Sequence, residues 1–228
     1  MKNKVREDLK EFAQSLPENV VLVAASKYAG VKEIKYMMEN GITNFGENRV
    51  DAFIRKYRRL SKYHLTWHFI GHLQRNKARP VINRISYLHS LDSVELAYMI
   101  EKYRRGTKPV NCFIEVSINE EINKNGLKPG EVDDFIYQVR RLKKVKIVGL
   151  MMMAKADSTH QDLLAQFGRL RLLKEYLEER FKMKIPYLSM GMSDDYPEAI
   201  QSGATHVRLG RILYKAYANK KASNIGKW

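Results

Sequence analysis

The sequence predicts an α/β fold, a closed (β/α)8 TIM barrel with an extra N-terminal helix. Eight short apolar runs alternate along the chain with segments whose apolar residues recur at helical spacing. This alternation implies parallel strands joined by helical crossovers, and no linker or low-complexity segment interrupts it. Eight such units in 228 residues favour a closed barrel over an open doubly wound sheet. We therefore expect residues 1–228 to form one domain.

A helix is predicted to precede the barrel, and eight strands to follow it. Val5, Leu9, Phe12 and Leu16 recur at helical spacing, and Pro17 closes that helix. The strands are predicted at residues 20–26, 43–46, 65–70, 86–91, 110–118, 145–153, 185–190 and 205–209.

Helices are predicted between these strands, from stripes of apolar residues at helical spacing. Residues 72–84 are the weakest part of the series, because they are basic and include Pro80. The polar tail after Tyr217 is expected to fray. The stripes begin at Val31, Val50, Val94, Val132 and Leu163.

The formal net charge of +16 raises the possibility of a nucleic-acid partner. Much of this charge lies at residues 55–59 and 140–144, on predicted helices where it would form solvated outer faces. No zinc-finger spacing, aromatic RNA-binding signature or heptad-linked basic region accompanies it. A basic barrel that binds nucleic acid therefore stays as an alternative. The favoured expectation is no specific nucleic-acid partner, with only weak nonspecific binding at low salt.

A cytoplasmic location is predicted. No apolar run approaches the roughly 18 residues of a membrane span, and no apolar segment follows the charged N-terminus as in a signal peptide. The single cysteine, Cys112, lies in an apolar run and is predicted to be a buried small hydrophobic residue. We expect neither a membrane partner nor an internal disulfide.

Lys27 is the most informative single residue. It follows the first apolar run and precedes Gly30, which marks the start of the next helix. A lysine at the mouth of a buried strand costs desolvation energy unless a partner or a covalent bond compensates for it. Partly buried amines are suited to forming Schiff bases with aldehydes. The alternative is a lysine whose charged head is solvated at the rim.

The loops after the seventh and eighth strands of such barrels often bind phosphate. Gly191 and Ser193 precede residues 194–200, whose composition suits a helix N-terminus that would attract an anion. Gly210, after the last strand, would let backbone N–H groups approach a ligand closely. The alternative is that Ser193 is a helix cap and Gly210 a turn glycine.

Arg208 lies inside the eighth apolar run, so its guanidinium points either inward to a partner or outward to the rim. Pointing inward, it could face the ring nitrogen of a bound heterocycle and keep that nitrogen unprotonated. A structural salt bridge to Glu47 or Glu115 is an equal alternative.

Two further patterns are more simply structural. His68 and His72 have the spacing of a helical metal pair, but His68 falls in a predicted strand and no carboxylate completes a site. We expect His68 to be hydrogen-bonded within the barrel. Residues 151–153, three consecutive methionines, are expected to fill the core near the pocket.

Taken in order, five segments resemble the pyridoxal-phosphate-binding homeostasis family, the one-domain relatives of the alanine racemase barrel. They span almost the whole chain, which makes the resemblance specific. The segments are Ala25-Ser26-Lys27, Phe45-Gly46-Glu47-Asn48, Trp67-His68-Phe69-Ile70-Gly71 with Leu73-Gln74-Arg75-Asn76-Lys77, Leu188-Ser189-Met190-Gly191-Met192-Ser193-Asp194, and Val207-Arg208-Leu209-Gly210.

The resemblance implies a fold-type III barrel that holds pyridoxal 5′-phosphate (PLP) as an internal aldimine on Lys27. It implies that the phosphate lies near Ser193 and that Arg208 points toward the pyridine nitrogen. The cofactor-binding residues that it implies are Lys27, Asn48, His68, Ser189, Met190, Ser193, Arg208, Gly210 and Arg211.

The family likeness also implies a role in PLP homeostasis or delivery without catalytic turnover, with PLP-dependent apoenzymes as partners. A monomer is expected, because compact barrels without an added interface module are often monomers. A small racemase is the enzyme alternative. It would need a second acid/base group on the opposite face of the cofactor, and in two-domain racemases a tyrosine from an added β-domain supplies it. Three positions depart from the family pattern. Arg211 replaces a small hydroxyl residue, Arg49 an aromatic residue and Ala154 a proline.

Overall fold

The computed structural model describes residues 9–119 and 125–225. Its centre is a closed barrel of parallel strands in chain order, with the last strand paired to the first. All eight predicted strands are present, so the predicted TIM barrel is confirmed. The strands are β1 (Val21–Ala25), β2 (Asn44–Glu47), β3 (Thr66–Phe69), β4 (Tyr87–Leu91), β5 (Val110–Glu115), β6 (Val145–Met151), β7 (Tyr187–Ser189) and β8 (His206–Leu209).

Helices surround the barrel and precede it. The predicted N-terminal helix is confirmed for Leu9 and Phe12, both buried, while Val5 lies outside the described residues. Residues 72–84, the weakest part of the predicted series, contain a 3-10 turn at Arg75–Lys77 and the short helix α4. The helices are α1 (Leu9–Ser15), α2 (Val31–Glu39), α3 (Val50–Leu60), α4 (Ala78–Ile82), α5 (Val94–Tyr103), α6 (Val132–Val139), α7 (His160–Phe181), α8 (Tyr196–Gln201) and α9 (Arg211–Ile225).

Alternate residues of β3 face opposite sides of the barrel wall. Trp67 and Phe69 point outward, and their ring centroids lie 5.5 and 6.3 Å from that of Phe53 on α3. His68 points inward, and its ring centroid lies 6.2 Å from that of His206 on β8. The period-two alternation therefore gives one strand an apolar outer face and a polar inner face.

The lumen of the barrel is filled by aromatic and polar rings from several strands. His206 lies within ring contact of Tyr87, His89 and Phe113, with centroid separations of 5.8, 6.0 and 5.1 Å. Such interleaved layers are the usual filling of an eight-stranded barrel. The barrel is thus a packed core, and a ligand can approach only at its ends.

Three sequence predictions need correction. Lys56, expected on a solvated face of α3, is buried against β2. Met153, expected in the core with Met151 and Met152, is 44% exposed because β6 ends at Met151. The tail expected to fray after Tyr217 continues as helix to Ile225, as its alanine and lysine content allows.

Two other expectations concern Cys112 and membrane-spanning helices. Cys112 is fully buried in the core, as predicted. Among the residues described, no helix is both long and apolar enough to cross a membrane.

Candidate functional site

Four of the predicted site residues leave neighbouring strands at one end of the barrel. The carboxyl ends of parallel strands lie at the same face, where barrels of this type carry their ligands. Lys27 lies two residues beyond β1, and Asn48 directly follows β2, which pairs with β1 through Ala25 and Gly46. Gly210 and Arg211 directly follow β8, which pairs with the other edge of β1.

The end of β1 is in contact with the start of α9. A Cβ atom built on Gly210 would lie 3.5 Å from the Ala25 Cβ, and the Tyr214 hydroxyl donates to the Ala25 carbonyl over 2.9 Å. Since consecutive Cα atoms are about 3.8 Å apart, the Lys27 Cα lies within about 8 Å of the Ala25 Cα. The lysine is therefore within reach of the turn at Gly210.

Lys27 is exposed, as in the second of the two sequence alternatives, a lysine solvated at the rim. The loop after β1 carries the residue onto the rim, and its ammonium lies 4.9 Å from the ring centroid of Tyr28. Tyr28 is itself 74% exposed. An exposed cation–π contact stabilises by only about 0.5–1 kcal/mol, so it holds the lysine weakly.

A polar cradle lies where the β7 loop meets the start of α9. The Ser193 hydroxyl oxygen accepts from the backbone N–H groups of Gly210 and Ile212, over 3.3 and 3.5 Å. These are N–H groups at the N-terminus of a 15-residue helix, where the helix dipole favours an anion. Ser193, Gly210 and this helix end are thus brought together as predicted.

The N-terminus of α8, where the sequence predicted an anion, is less suited to one than the N-terminus of α9. α8 has only six residues, and the carboxylate of Asp195 already accepts the Met192 N–H over 2.5 Å at its start. That negative charge disfavours a second anion there. The start of α9 suits an anion better, because its N–H groups face the neutral Ser193 hydroxyl.

Gly191 and Gly210 play different parts in this cradle. Gly191 has φ +93°, and a Cβ there would lie 2.6 Å from the Ala199 Cβ, so the turn itself requires glycine. A Cβ on Gly210 would make only ordinary contacts of 3.5 Å or more. The protein therefore does not need glycine at 210 for its own packing.

The Arg211 side chain lies at the surface. Its guanidinium pairs with the Asp194 carboxylate, and both side chains are largely exposed. The backbone of Arg211, rather than its side chain, is thus the part that lies at the helix start.

Arg208 points inward, as the first of the two sequence alternatives required. Its Nη1 donates to the Ser189 hydroxyl over 2.7 Å and its Nη2 to the Met152 carbonyl over 2.9 Å. Burial lowers the pKa of Arg208 to about 10, while the nearby carboxylates of Asp195 and Glu115 oppose that shift. The guanidinium therefore stays charged at neutral pH.

The salt bridge considered between Arg208 and Glu47 is not formed. Glu47 is fully buried and pairs with Lys56. Glu115 is buried beside Arg208, and burial together with the charge of Asp92 raises its pKa to about 7, although Arg208 acts in the opposite direction.

Asn48 carries a buried acceptor. Its Oδ1 has no hydrogen-bond partner, while its backbone N–H donates to the Glu47 carboxylate over 2.8 Å. A buried oxygen of this kind is costly unless a donor meets it. Asn48 can thus accept a hydrogen bond from a ligand at the barrel mouth.

The remaining predicted residues lie deeper in the barrel. His68 is hydrogen-bonded within the lumen, to His89 over 2.9 Å and to Asn44 over 3.1 Å, which confirms the structural expectation for it. Met190 is fully buried, and its N–H donates to the His206 carbonyl. Neither side chain lies in the cradle of Ser193 and Gly210.

Three residues of the barrel lumen and of α9 were not assigned a role from the sequence. They are His89, His206 and Tyr214. The alternation of Tyr87 and His89 in β4, and of His206 and Arg208 in β8, was a signal that polar rings face the lumen.

Comparisons with known proteins agree with this arrangement. The family model described as alanine racemase, N-terminal domain, matches residues 2–218. A relative named pyridoxal phosphate homeostasis protein, from Aquifex aeolicus, is 36% identical over 85% of this chain and 85% of its own. A protein of the same name from Synechocystis is 35% identical over 90% of this chain and 94% of its own.

A solved structure has the same fold. PipY of Synechococcus elongatus PCC7942, solved with PLP bound, superposes with a TM-score of 0.85. It is 32% identical to this chain, and the alignment covers 94% of this chain and 100% of PipY.

Proposed function

Because the chain belongs to the pyridoxal phosphate homeostasis protein family, whose barrel is that of the alanine racemase N-terminal domain, we propose that it binds PLP covalently through Lys27. It then holds and releases the cofactor inside the cell rather than turning over a substrate. The observation that carries this proposal is the contact between the end of β1 and the anion cradle of Ser193 and Gly210.

The residues present fit the chemistry of this cofactor. When bound, PLP supplies an aldehyde, which condenses with a lysine amine and releases one water. The Ser193 hydroxyl and the N–H groups at the start of α9 suit its dianionic phosphate. The unpartnered Asn48 oxygen can accept from a donor group of the cofactor.

Lys27 must leave the Tyr28 ring to react. The contact that it breaks is exposed and worth only about 0.5–1 kcal/mol, which is small beside a covalent bond and a phosphate site. Water also reaches an exposed lysine, so a covalent bond formed between it and the cofactor can be hydrolysed again. Reversible holding thus suits this position better than a sealed catalytic pocket.

Delivery is preferred to racemisation on the same grounds. Racemisation by two bases needs acid/base groups on both faces of the cofactor. Lys27 can serve one face, and its accessibility to water favours release of the cofactor over repeated proton transfer. PLP-dependent apoenzymes are the recipients that we propose, with the protein acting as a one-domain monomer in the cytoplasm and without specific nucleic-acid binding.

Absorbance and chemical trapping test this proposal. The purified protein is incubated with PLP, reduced with borohydride and digested, and the modified peptide is located by mass spectrometry. We expect the label on Lys27 in the wild type and no retained cofactor in Lys27→Ala. Lys32→Ala is the matched control, since Lys32 is another exposed lysine nearby on α2, and it should bind as the wild type does. Equal trapping in Lys27→Ala would overturn the proposal.

A further inference from the structure

A chain of four hydrogen bonds crosses the barrel lumen from Arg208 to Asn44. Arg208 Nη1 and Ser189 Oγ are 2.7 Å apart, and Ser189 Oγ and His89 Nδ1 are also 2.7 Å apart. His89 Nε2 lies 2.9 Å from His68 Nδ1, and His68 Nε2 lies 3.1 Å from Asn44 Oδ1. Ser189, His68 and His89 are fully buried.

The two ends of this chain set its direction. A guanidinium has only donors, so Arg208 must donate to Ser189. At the other end, the Asn44 amide nitrogen is directed to the Thr43 hydroxyl, which leaves its Oδ1 as an acceptor for His68. His68 Nε2 must therefore carry a proton.

When both buried rings are neutral, as burial favours, only one arrangement of protons satisfies the links between these ends. If His68 carries its proton on Nε2, its Nδ1 accepts from His89 Nε2–H, and His89 Nδ1 accepts from the Ser189 hydroxyl. The reverse direction would set two acceptors, His68 Nε2 and Asn44 Oδ1, against each other. It would also leave the Ser189 hydroxyl proton without His89 Nδ1 as its acceptor.

Both histidines are neutral in this arrangement. Each uses one ring nitrogen as donor and the other as acceptor, so no nitrogen is left for a second proton. Burial lowers the pKa of His68 and of His89 well below the usual value, and the neighbouring His206 acts in the same direction. The charge at the Arg208 end is thus met by oriented neutral dipoles.

We propose that His68, His89 and Ser189 form a polarised relay that fixes the orientation of the Arg208 guanidinium. The Ser189 proton is drawn toward His89, which makes Ser189 Oγ a better acceptor for Arg208. Arg208 also donates a second hydrogen bond, to the carbonyl of Met152 directly after β6. This bond prevents rotation of the guanidinium about the first one. The histidines are positioning residues, because they act on Arg208 through Ser189.

The effect of this relay on bound PLP rests on the proposed function. With PLP bound at the barrel mouth, the guanidinium held by the relay would keep the pyridine nitrogen unprotonated by charge repulsion. The relay itself, with its two fixed tautomers, is a property of the ligand-free chain and can be measured without the cofactor.

The first test is nitrogen-15 NMR of histidine-labelled, ligand-free protein at pH 7. We expect the signals of His68 and His89 to report neutral rings, each protonated on Nε2. Assignment comes from the single variants His68→Phe and His89→Phe. A proton on Nδ1 of either ring, or a charged ring, would overturn the relay whether or not the protein binds PLP.

The second test compares variants in the PLP complex. Ser189→Ala cuts the link between Arg208 and His89 without altering the ring packing, and His89→Phe removes the acceptor while it keeps a ring beside Phe113. His206→Phe is the control, since His206 is also buried in the lumen but bonds to Thr205 instead. Thermal unfolding establishes that each variant is folded.

The readout is the pH midpoint at which the absorbance of bound PLP changes. We expect the midpoint to move upward by about one unit in Ser189→Ala and His89→Phe, and to stay within about 0.3 units in His206→Phe. If the wild type binds PLP and all three variants keep its midpoint, the positioning role is wrong although the proposed function stands. If the wild type does not bind PLP, the proposed function fails and the NMR test still decides the relay.

Discussion

The ammonium of Lys56 is buried against the carboxylate of Glu47 and also donates to the carbonyl of Ser26. Ser26 in turn donates to the Gly46 carbonyl over 3.0 Å, and Glu47 accepts the Asn48 N–H over 2.8 Å. One ion pair between α3 and β2 thus ties together the loops that carry the two pocket residues leaving β1 and β2.

Lys56→Met is expected to destabilise the protein strongly, because it leaves the fully buried Glu47 carboxylate without its partner. Breaking a buried ion pair costs about 3–5 kcal/mol. The control is Glu175→Gln, which breaks the exposed pair with Arg171 and should cost less than about 1 kcal/mol. Chemical denaturation measures both. Equal small losses would show that the buried pair is not important for stability.

Gly191→Ala is expected to destabilise the turn that carries Ser193. The residue has φ +93°, and the new Cβ would lie 2.6 Å from the Ala199 Cβ. The cost should be at least about 1–2 kcal/mol. Gly168→Ala on α7 is the matched control, since its Cβ would meet nothing within 4 Å and alanine favours the helix by about 0.5–1 kcal/mol. Thermal unfolding that moved both variants in the same direction would contradict this reading.

The sequence was sufficient for the eight strands and for the cradle of Ser193 and Gly210. Strands and helices of this barrel follow the local period of apolar residues, and the strand order follows the chain. The polar residues after each strand therefore meet at one face without any knowledge of packing. Lys27 and Gly210 were found in this way although 183 positions separate them.

The lumen could not be predicted to the same degree. The hydrogen bond between His89 and Ser189 joins residues 100 positions apart, and it depends on which rings share a layer of the barrel. Lys56 was expected on a solvated face because it lies in a basic run with Arg55, Arg58 and Arg59, and those three residues are indeed exposed. Its burial depends on Glu47 lying across the helix–strand interface, which no local pattern reveals.

Glu115→Gln is expected to change how stability depends on pH. Burial beside Asp92 raises the Glu115 pKa from 4.5 to about 7, against the effect of Arg208. The folded state therefore binds more protons than the unfolded state between these values, and this group lowers stability as pH rises from 4.5 to 7. Glu115→Gln should remove this loss of stability, because glutamine does not titrate.

Urea unfolding of wild type and Glu115→Gln across this pH range measures the effect. The difference in unfolding free energy should move in favour of the variant by up to about 3 kcal/mol, since one pKa unit corresponds to about 1.36 kcal/mol. His206, whose pKa burial lowers to about 4, favours folding as pH rises, but it is common to both proteins and cancels in the difference. A pH-independent difference would contradict the burial of a titrating Glu115.

Ser193→Ala is expected to weaken PLP binding more than Arg211→Ala does, because only the Ser193 hydroxyl faces the start of α9. A lost hydrogen bond to a charged phosphate corresponds to roughly a tenfold or greater rise in the dissociation constant. The Arg211 guanidinium is held at the surface by Asp194, so its removal should change that constant less than about threefold. Equilibrium absorbance titration with PLP measures both variants. If Arg211→Ala weakens binding as much as Ser193→Ala does, the guanidinium leaves Asp194 and contacts the phosphate directly.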